Sequence, residues 1–201
     1  MTELAVLCSG RGSDLQSIID AIQCGDLPAK ISVVITDKPG VQALERAEKA
    51  GIKNICVDRK KFETRAEFEK EILKNLDGID LVILAGFMRI LSPEFVKKFS
   101  GRLMNIHPSL LPAFPGAHAH RDVLAYGVKV SGCTVHFVDE GTDSGPVILQ
   151  ATVEVRDDDT EETLAARVLE QEHIIYPKAI KLFVEGKLKI DGRKVKILNR
   201  E

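Results

Sequence analysis

Two side chains that can do chemistry lie two positions apart in the segment Asn-Ile-His-Pro-Ser-Leu-Leu-Pro, residues 105–112. An apolar run before them predicts a short buried strand, which Pro108 ends because proline cannot donate a hydrogen bond to a neighbouring strand. Side chains alternate along a strand, so Asn105 and His107 are expected on one side and Ile106 in the core. The pair then lies at the carboxyl end of a strand, where open α/β sheets bind ligands.

An amide and an imidazole placed side by side are suited to acyl transfer. The Asn105 amide can donate a hydrogen bond to an oxygen that gains negative charge in the transition state. His107 can carry a proton between nucleophile and leaving group near neutral pH. The alternative is a strand end with an asparagine turn and a surface histidine. Pro108 and Pro112, which fix the apolar loop just beyond, favour a built site.

The elements that would position this pair alternate between apolar runs and amphipathic segments. Strands are predicted at residues 4–8, 31–35, 54–57, 79–84, 101–107, 129–138 and 147–155, followed by a terminal hairpin at 187–198. Helices are predicted after the turn at 9–14, at 41–50, at 62–76, after residue 92 and at 160–185, with a kink or interruption at Pro177. This order predicts an α/β fold with a mostly parallel, twisted sheet, helices on both faces and a Rossmann-like N-terminal half.

Composition narrows the class of protein. The chain has 201 residues, 44% of them hydrophobic and 29% charged, and a net charge of −2, which fits one globular domain without a basic surface for nucleic acid. No apolar run reaches the ~18 residues of a membrane span, and no signal peptide is expected before the first strand. Cys8, Cys56 and Cys133 lie in apolar runs and are expected as core thiols in a reducing, cytoplasmic environment.

A glycine turn, Ser9-Gly-Arg-Gly-Ser-Asp14, joins the first strand to the first helix. The free amides and the dipole of a helix N-terminus suit such a junction to a phosphate. It is neither a dinucleotide fingerprint, because Leu15 stands where the third glycine belongs, nor a P-loop. A plain tight turn remains the alternative. Asp37, after the second strand, is interpreted as a turn or cap residue.

Several further residues have two interpretations on sequence alone. Apolar side chains in Ala85–Leu91 either line a pocket for a heteroaromatic ring or pack under the next helix. Asp139 and Asp143 occupy the loop after strand 129–138. A carboxylate there would favour the protonated form of a facing His107, but an Asx turn is equally consistent, and spacing does not choose between the two acids.

The histidines allow one further alternative, a metal site. Its candidate ligands are widely spaced in the sequence, which disfavours such a site. They are His107, His118, His120, His136 and Asp143.

The run at 105–112, with Pro115-Gly116 after it, resembles the signature of the folate-dependent formyltransferases, and the resemblance extends from about Ala5 to about Leu188. It implies that Asn105 stabilises the oxyanion, that His107 moves the proton and that Asp143 holds His107. It also implies a single formyltransferase domain over residues 1–201, with a phosphate-binding half at 1–100 and a catalytic, folate-binding half at 101–201.

The same resemblance implies the binding residues. The residues implied for binding a ribonucleotide substrate are Gly12, Ser13, Asp14, His118 and Glu172. Glu172 is the residue implied to hydrogen-bond the ribose hydroxyls. Asp14 stands where the family usually has asparagine, and its charge would repel a phosphate unless the side chain turns away. Those for the folate are Arg65, Met88, Arg89, Ile90, Leu91, Asn105, Val138, Asp139 and Glu140. From spacing alone, Arg65 is a surface arginine and Glu172 an exposed helix acid.

The implied activity is transfer of a formyl group from 10-formyltetrahydrofolate, a co-substrate, to the amine of 5-phosphoribosylglycinamide in purine biosynthesis, without a metal. Small-molecule substrates, no nucleic-acid or membrane partner, and a cytoplasmic monomer or homodimer are expected. Alternatives are formyl transfer to methionyl-tRNA or a nucleotide sugar, and formyltetrahydrofolate hydrolysis, whose families carry further domains that we do not expect here. A non-catalytic folate- or nucleotide-binding module and a zinc hydrolase remain further alternatives.

Overall fold

The computed structural model describes residues 1–198. Residues 199–201, the end of the predicted catalytic half, lie outside the described part. The chain divides into two compact units, one comprising Met1–Met104 and the other beginning at Asn105. Each unit has its own strands and helices, and each supplies some of the predicted site residues.

The first unit alternates strands and helices as predicted. Its elements are β1 (Thr2–Cys8), α1 (Ser13–Gln23), β2 (Ala29–Thr36), α2 (Gln42–Lys49), β3 (Asn54–Cys56), a 3₁₀ turn (Arg59–Lys61), α3 (Arg65–Leu73), β4 (Leu81–Leu84) and α4 (Pro93–Lys98). The strand order is β3-β2-β1-β4, and the three pairings are parallel. Parallel neighbours joined by helices bury both faces of a sheet, which explains the continuous apolar runs of β1 and β4.

The second unit is mixed. Its elements are β5 (Leu103–His107, starting two residues before the unit), α5 (Ala119–Tyr126), β6 (Val130–Phe137), β7 (Val147–Glu154), α6 (Glu161–Val184), β8 (Leu188–Asp191) and β9 (Lys194–Ile197). Strands β6 and β7 pair antiparallel, β7 and β9 parallel, and β8 and β9 antiparallel. The α/β class with mostly parallel strands is therefore confirmed, as are the hairpin of β6 and β7 and the terminal hairpin.

Local signals set the ends of the elements that matter most for the site. Strand β5 ends at His107, directly before Pro108, as predicted. Helix α4 begins with Pro93, and the Ser92 hydroxyl accepts a hydrogen bond from the amide of Phe95. Such a cap satisfies an amide that a helix start otherwise leaves without a partner.

Two predicted helices differ from the structure. The helix predicted at 62–76 is shorter, because Thr64 caps it through the Glu67 amide and the residues before form a 3₁₀ turn. The predicted interruption at Pro177 is wrong, since α6 runs through it. A proline removes one backbone hydrogen bond, and the buried side chains of Tyr176 and Ile180 hold the helix together on either side.

One predicted core thiol is misplaced. Cys8 and Cys133 are buried as expected, but Cys56 is exposed. Strand β3 has three residues and pairs only with β2 among the described strands, so it forms an edge of the first unit's sheet. An edge strand is open to solvent on one side, and an apolar run does not reveal that position.

Gly132 allows β6 and β7 to pack closely. A Cβ atom there would lie 1.9 Å from the carbonyl oxygen of Ala151. Gly132→Ala is therefore expected to lower the free energy of unfolding by about 3 kcal/mol or more, because the clash is with backbone. Urea denaturation would measure it. Gly78→Ala is the control: open space surrounds that Cβ, but φ is +71°, so only about 1 kcal/mol of backbone strain is expected. Equal losses would contradict the packing argument.

Candidate active site

The end of β5 places His107 in a buried position. Its Nε2 atom lies 2.9 Å from the carbonyl oxygen of Phe114. A carbonyl only accepts, so Nε2 carries the hydrogen and donates it. Phe114 has a positive φ of 53°, and its carbonyl also accepts from the Ser109 hydroxyl at 3.1 Å. The loop after Pro108 thus curls back and fixes one side of the imidazole ring.

Asp143 lies on the other side of the ring. Its Oδ2 atom is 3.4 Å from His107 Nδ1 and accepts a hydrogen bond of 2.9 Å from the amide of Gly116. The residue adopts φ +50°, in the left-handed region that non-glycine residues rarely occupy. Each ring nitrogen of His107 therefore faces an oxygen atom of the protein.

His136 in β6 orients the amide of Asn105. Its Nδ1 lies 2.9 Å from the Phe137 carbonyl and therefore donates. Burial lowers the pKa of His136 and favours the neutral ring, although that hydrogen bond and the Asp143 charge act in the opposite direction. The second nitrogen, Nε2, is then an acceptor and receives a 3.2 Å hydrogen bond from Asn105 Nδ2. One N–H of the amide is used in this way, and its second N–H can donate to a ligand.

The role of His136 was missed on sequence, where the residue entered only as a possible metal ligand. A histidine inside an apolar strand, seven residues before Asp143, was the available signal. In the structure the register of β6 and β7 slips between Val135 and His136, so that Ile148 is the extra residue. Such bulges change the direction in which nearby side chains point.

The structure separates the two acids that spacing could not. The Asp139 carboxylate accepts from the Gly141 amide at 3.1 Å and from the Ser144 hydroxyl at 2.7 Å, so the Asx-turn interpretation fits Asp139. Asp143 is the acid beside His107. Val138 is partly exposed and Glu140 exposed at the start of the same loop.

Side chains of the β6–β7 hairpin hold the backbone that follows His107. The Thr134 hydroxyl donates to the Ser109 carbonyl at 2.7 Å and accepts from the Leu111 amide at 3.0 Å. The Gln150 amide donates to the Leu111 carbonyl at 2.9 Å. These bonds fix the proline-rich loop against the strands that also carry His136.

The remaining predicted residues of this unit differ in burial. His118 is exposed and directly precedes α5. Glu172 is buried within α6, so the alternative of an exposed helix acid is wrong. His120 is partly buried, burial lowers its pKa, and its Nδ1 has no hydrogen-bond partner among residues 1–198. Within the same residues no set of three or more His, Cys, Asp and Glu side chains is arranged to hold a metal ion.

In the first unit, the glycine turn leads directly into α1. Gly12 precedes the helix with φ +67°, and a Cβ there would lie 2.8 Å from Ala43 Cβ, so both conformation and packing require glycine. Ser13 and Asp14 form the first turn of α1. Asp14 is buried, and burial raises its pKa to about 6, although the charge of Arg11 acts in the opposite direction.

The predicted folate residues of the first unit cluster after β4 and at α3. Met88 and Ile90 are exposed while Leu91 is buried, so of these three only Leu91 has the burial that packing under the next helix requires. Arg89 Nε donates to the carboxylate of Asp37 at 2.6 Å. The prediction that Asp37 is a turn or cap residue is therefore incomplete: its side chain is the buried partner of an arginine 52 positions away.

Arg65 begins α3 and is half exposed. Its Nε lies 3.9 Å from the carboxylate of Glu69, which is itself buried. Glu69 in turn accepts a hydrogen bond of 2.7 Å from the amide of Ser92. The arginine is therefore linked through Glu69 to the end of the segment that contains Met88 and Ile90.

Comparisons with known proteins show which family the chain belongs to. The family model described as formyl transferase matches residues 2–180. The chain is 47% identical over 189 residues to phosphoribosylglycinamide formyltransferase of Escherichia coli K12, which covers 93% of this chain and 89% of that protein. It is similar to the solved glycinamide ribonucleotide transformylase 1 of Symbiobacterium toebii, with a TM-score of 0.97 and 48% identity over 99% of this chain and 95% of that one.

A longer relative matches over part of its length. The trifunctional purine biosynthetic protein adenosine-3 of Drosophila melanogaster is 47% identical over 187 residues, which are 91% of this chain and 14% of that protein.

No helix formed by residues 1–198 has the length and apolar character needed to cross a membrane. Because the family model and the E. coli relative both extend over most of the sequence, the chain belongs to the formyl transferase family.

Proposed function

We propose that this chain transfers the formyl group of 10-formyltetrahydrofolate to the amine of 5-phosphoribosylglycinamide in de novo purine biosynthesis. The observation that carries the proposal is the cluster of Asn105, His107, His136 and Asp143, which offers an amide donor and a held imidazole at one strand end. The named activity of the E. coli relative supports the choice of acceptor. Formyl folate is the formyl donor of this family.

The reaction needs one proton to move and one oxygen to carry charge. The substrate amine attacks the formyl carbon, and the carbonyl oxygen becomes negative in the tetrahedral intermediate. The free N–H of Asn105 would donate to this oxygen. Collapse breaks the bond between the formyl carbon and the folate nitrogen. His107 would pass the proton lost by the amine to that nitrogen, and the Asp143 carboxylate would stabilise the charged ring.

The residues proposed to bind the ribonucleotide are Gly12, Ser13, Asp14, His118 and Glu172. The amides in the first turn of a helix lack intrahelical partners and attract a phosphate. Gly12 lets the backbone enter α1 without a side chain in the way. Glu172, as a carboxylate acceptor, suits the two hydroxyls of a ribose.

The residues proposed to bind the folate are Arg65, Met88, Arg89, Ile90, Leu91, Asn105, Val138, Asp139 and Glu140. Exposed Met88 and Ile90 provide apolar surface for a flat ring, and half-exposed Arg65 provides a cation for a carboxylate tail. A cytoplasmic monomer or homodimer, acting without a metal, completes the proposal.

Turnover of purified protein with 5-phosphoribosylglycinamide and 10-formyltetrahydrofolate, followed by the absorbance of the folate, tests the proposal. Formylated ribonucleotide is the expected product. Folate consumed equally well without the ribonucleotide would instead identify a hydrolase. Folate that binds without being consumed would identify a binding module, and either result would overturn the proposal.

His107→Ala is expected to lower kcat by about 10²–10⁴-fold, because a positioned acid–base group contributes that much to the rate. Steady-state kinetics at saturating concentrations of both substrates measures the loss, and circular dichroism confirms folding. A decrease of less than tenfold would remove His107 from the proton path.

Asp143→Asn and Asp139→Asn form a matched pair, since both remove one charge from the same loop. Asp143→Asn is expected to lower kcat by about 10²-fold, because the neutral side chain no longer stabilises a charged His107. Asp139→Asn is expected to change kcat by less than tenfold, because the Asp139 carboxylate bonds only loop atoms among its described partners. Equal effects would contradict the assignment of Asp143.

Asp14→Asn tests whether the charge of Asp14 opposes phosphate binding. Ionised Asp14 repels a phosphate, so the variant is expected to have a KM for the ribonucleotide about tenfold lower at pH 8, a small part of what a like-charge contact can cost. Its pKa is raised to about 6, so wild-type Asp14 gains its proton as pH falls through 6. The two KM values should then converge by pH 5. A ratio independent of pH would contradict this.

A further inference from the structure

The segment from Gly86 to Ser92, called here the 86–92 segment, is held by three side chains from three other elements of the first unit. The amide of Met88 donates to the Ser9 hydroxyl at 2.8 Å, next to the end of β1. Arg89 Nε donates to the Asp37 carboxylate at 2.6 Å, next to the end of β2. The amide of Ser92 donates to Glu69 of α3 at 2.7 Å.

Asp37 is the most deeply buried of the three anchors. Its side chain is 0% exposed, whereas that of Arg89 is 38% exposed. Burying a carboxylate is costly unless it is paired and hydrogen-bonded. Its Oδ1 atom has no hydrogen-bond partner among residues 1–198, so its pairing depends on Oδ2 and Arg89. A buried charge is thus used to fix the position of one surface segment.

The anchored segment leaves two large apolar side chains in solvent. Met88 is 69% and Ile90 75% exposed, although both are large apolar side chains. A segment anchored for stability alone would be expected to bury these side chains, because burial of each contributes about 1.5–3 kcal/mol. Rigid anchoring combined with exposed apolar side chains is the arrangement of a preorganised ligand surface.

We propose that Asp37 is a positioning residue for folate binding: by holding Arg89, it fixes the 86–92 segment in the conformation that receives the folate ring. This inference rests on the proposed function. Asp37 acts through Arg89 and is not assigned a contact with the folate. A preorganised segment loses less conformational freedom on binding, so the effect belongs in the affinity for the folate and not in the rate of the chemical step.

Asp37→Ala is the principal test. The KM for 10-formyltetrahydrofolate is expected to rise about tenfold, because the segment must then be ordered by the ligand. The kcat is expected to stay within about threefold of the wild type, and the KM for the ribonucleotide within about twofold. Asp37→Asn keeps an oxygen that accepts from Arg89 and is expected to give an intermediate folate KM. Ser9→Ala, which removes the acceptor of the Met88 amide, is expected to raise the folate KM about threefold.

A matched control exists in the second unit. The side chain of Asp159 is 2% exposed and accepts from both terminal nitrogens of Arg167, at 2.8 and 2.9 Å. It is therefore another buried Asp–Arg pair, at the start of α6, and no predicted substrate or folate residue takes part in it. Asp159→Ala is expected to lower the melting temperature and to leave the folate KM within about twofold.

The outcomes separate this inference from the proposed function. Wild-type turnover with an unchanged folate KM in folded Asp37→Ala would overturn the positioning role alone. An equal rise of the folate KM in Asp37→Ala and Asp159→Ala would also overturn it, because the cause would then be lost stability. A wild-type protein that neither consumes nor binds 10-formyltetrahydrofolate would overturn the proposed function, and the positioning role with it. Should Asp37→Ala not fold, Asp37→Asn and Ser9→Ala decide by the same criteria.

Discussion

The position of one carboxylate, Asp143, is the constraint on which the polar cluster of the second unit depends. One of its oxygens is 3.4 Å from His107 Nδ1 and the other is 3.9 Å from His136 Nε2. A φ of +50° brings the side chain there, at a cost of about 1–3 kcal/mol for a residue that is not glycine. Packing of the β6–β7 hairpin has to offset this cost. Gly132 and Gly145 permit the close backbone approaches within the hairpin.

Backbone carbonyls give the two buried histidines different roles. The Phe137 carbonyl takes the hydrogen of His136 Nδ1, so Nε2 accepts from Asn105 and the ring is stable when neutral. The Phe114 carbonyl takes the hydrogen of His107 Nε2, and the remaining nitrogen faces a carboxylate. A backbone carbonyl on one ring nitrogen therefore leaves the other nitrogen of His136 to an amide donor and that of His107 to a carboxylate.

Local patterns were sufficient to predict the alternation of elements, the end of β5 at His107 and the cap at Ser92, because each depends on residues a few positions apart. They were not sufficient to choose between Asp139 and Asp143. That choice depends on the left-handed backbone of Asp143 and on the hydrogen bond that Asp139 accepts within its own loop. Local patterns also did not predict the burial of Asp37, because its partner Arg89 lies 52 positions away. The exposure of Cys56 followed from the place of β3 at a sheet edge, which no apolar run encodes.

The first unit contains three buried acids, Asp14, Asp37 and Glu69, whose surroundings differ. Asp37 has an arginine at 2.6 Å, and Glu69 accepts from an amide at 2.7 Å with Arg65 nearby. Each of these two carboxylates is therefore matched to donors, as buried polar groups require. At Asp14, burial outweighs the charge of Arg11 and raises the pKa to about 6. Asp14 lies in the first turn of α1, the helix that would bind the phosphate under the proposed function. An aspartate at this position, in place of the usual asparagine of the family, would thereby couple the charge of the phosphate loop to pH.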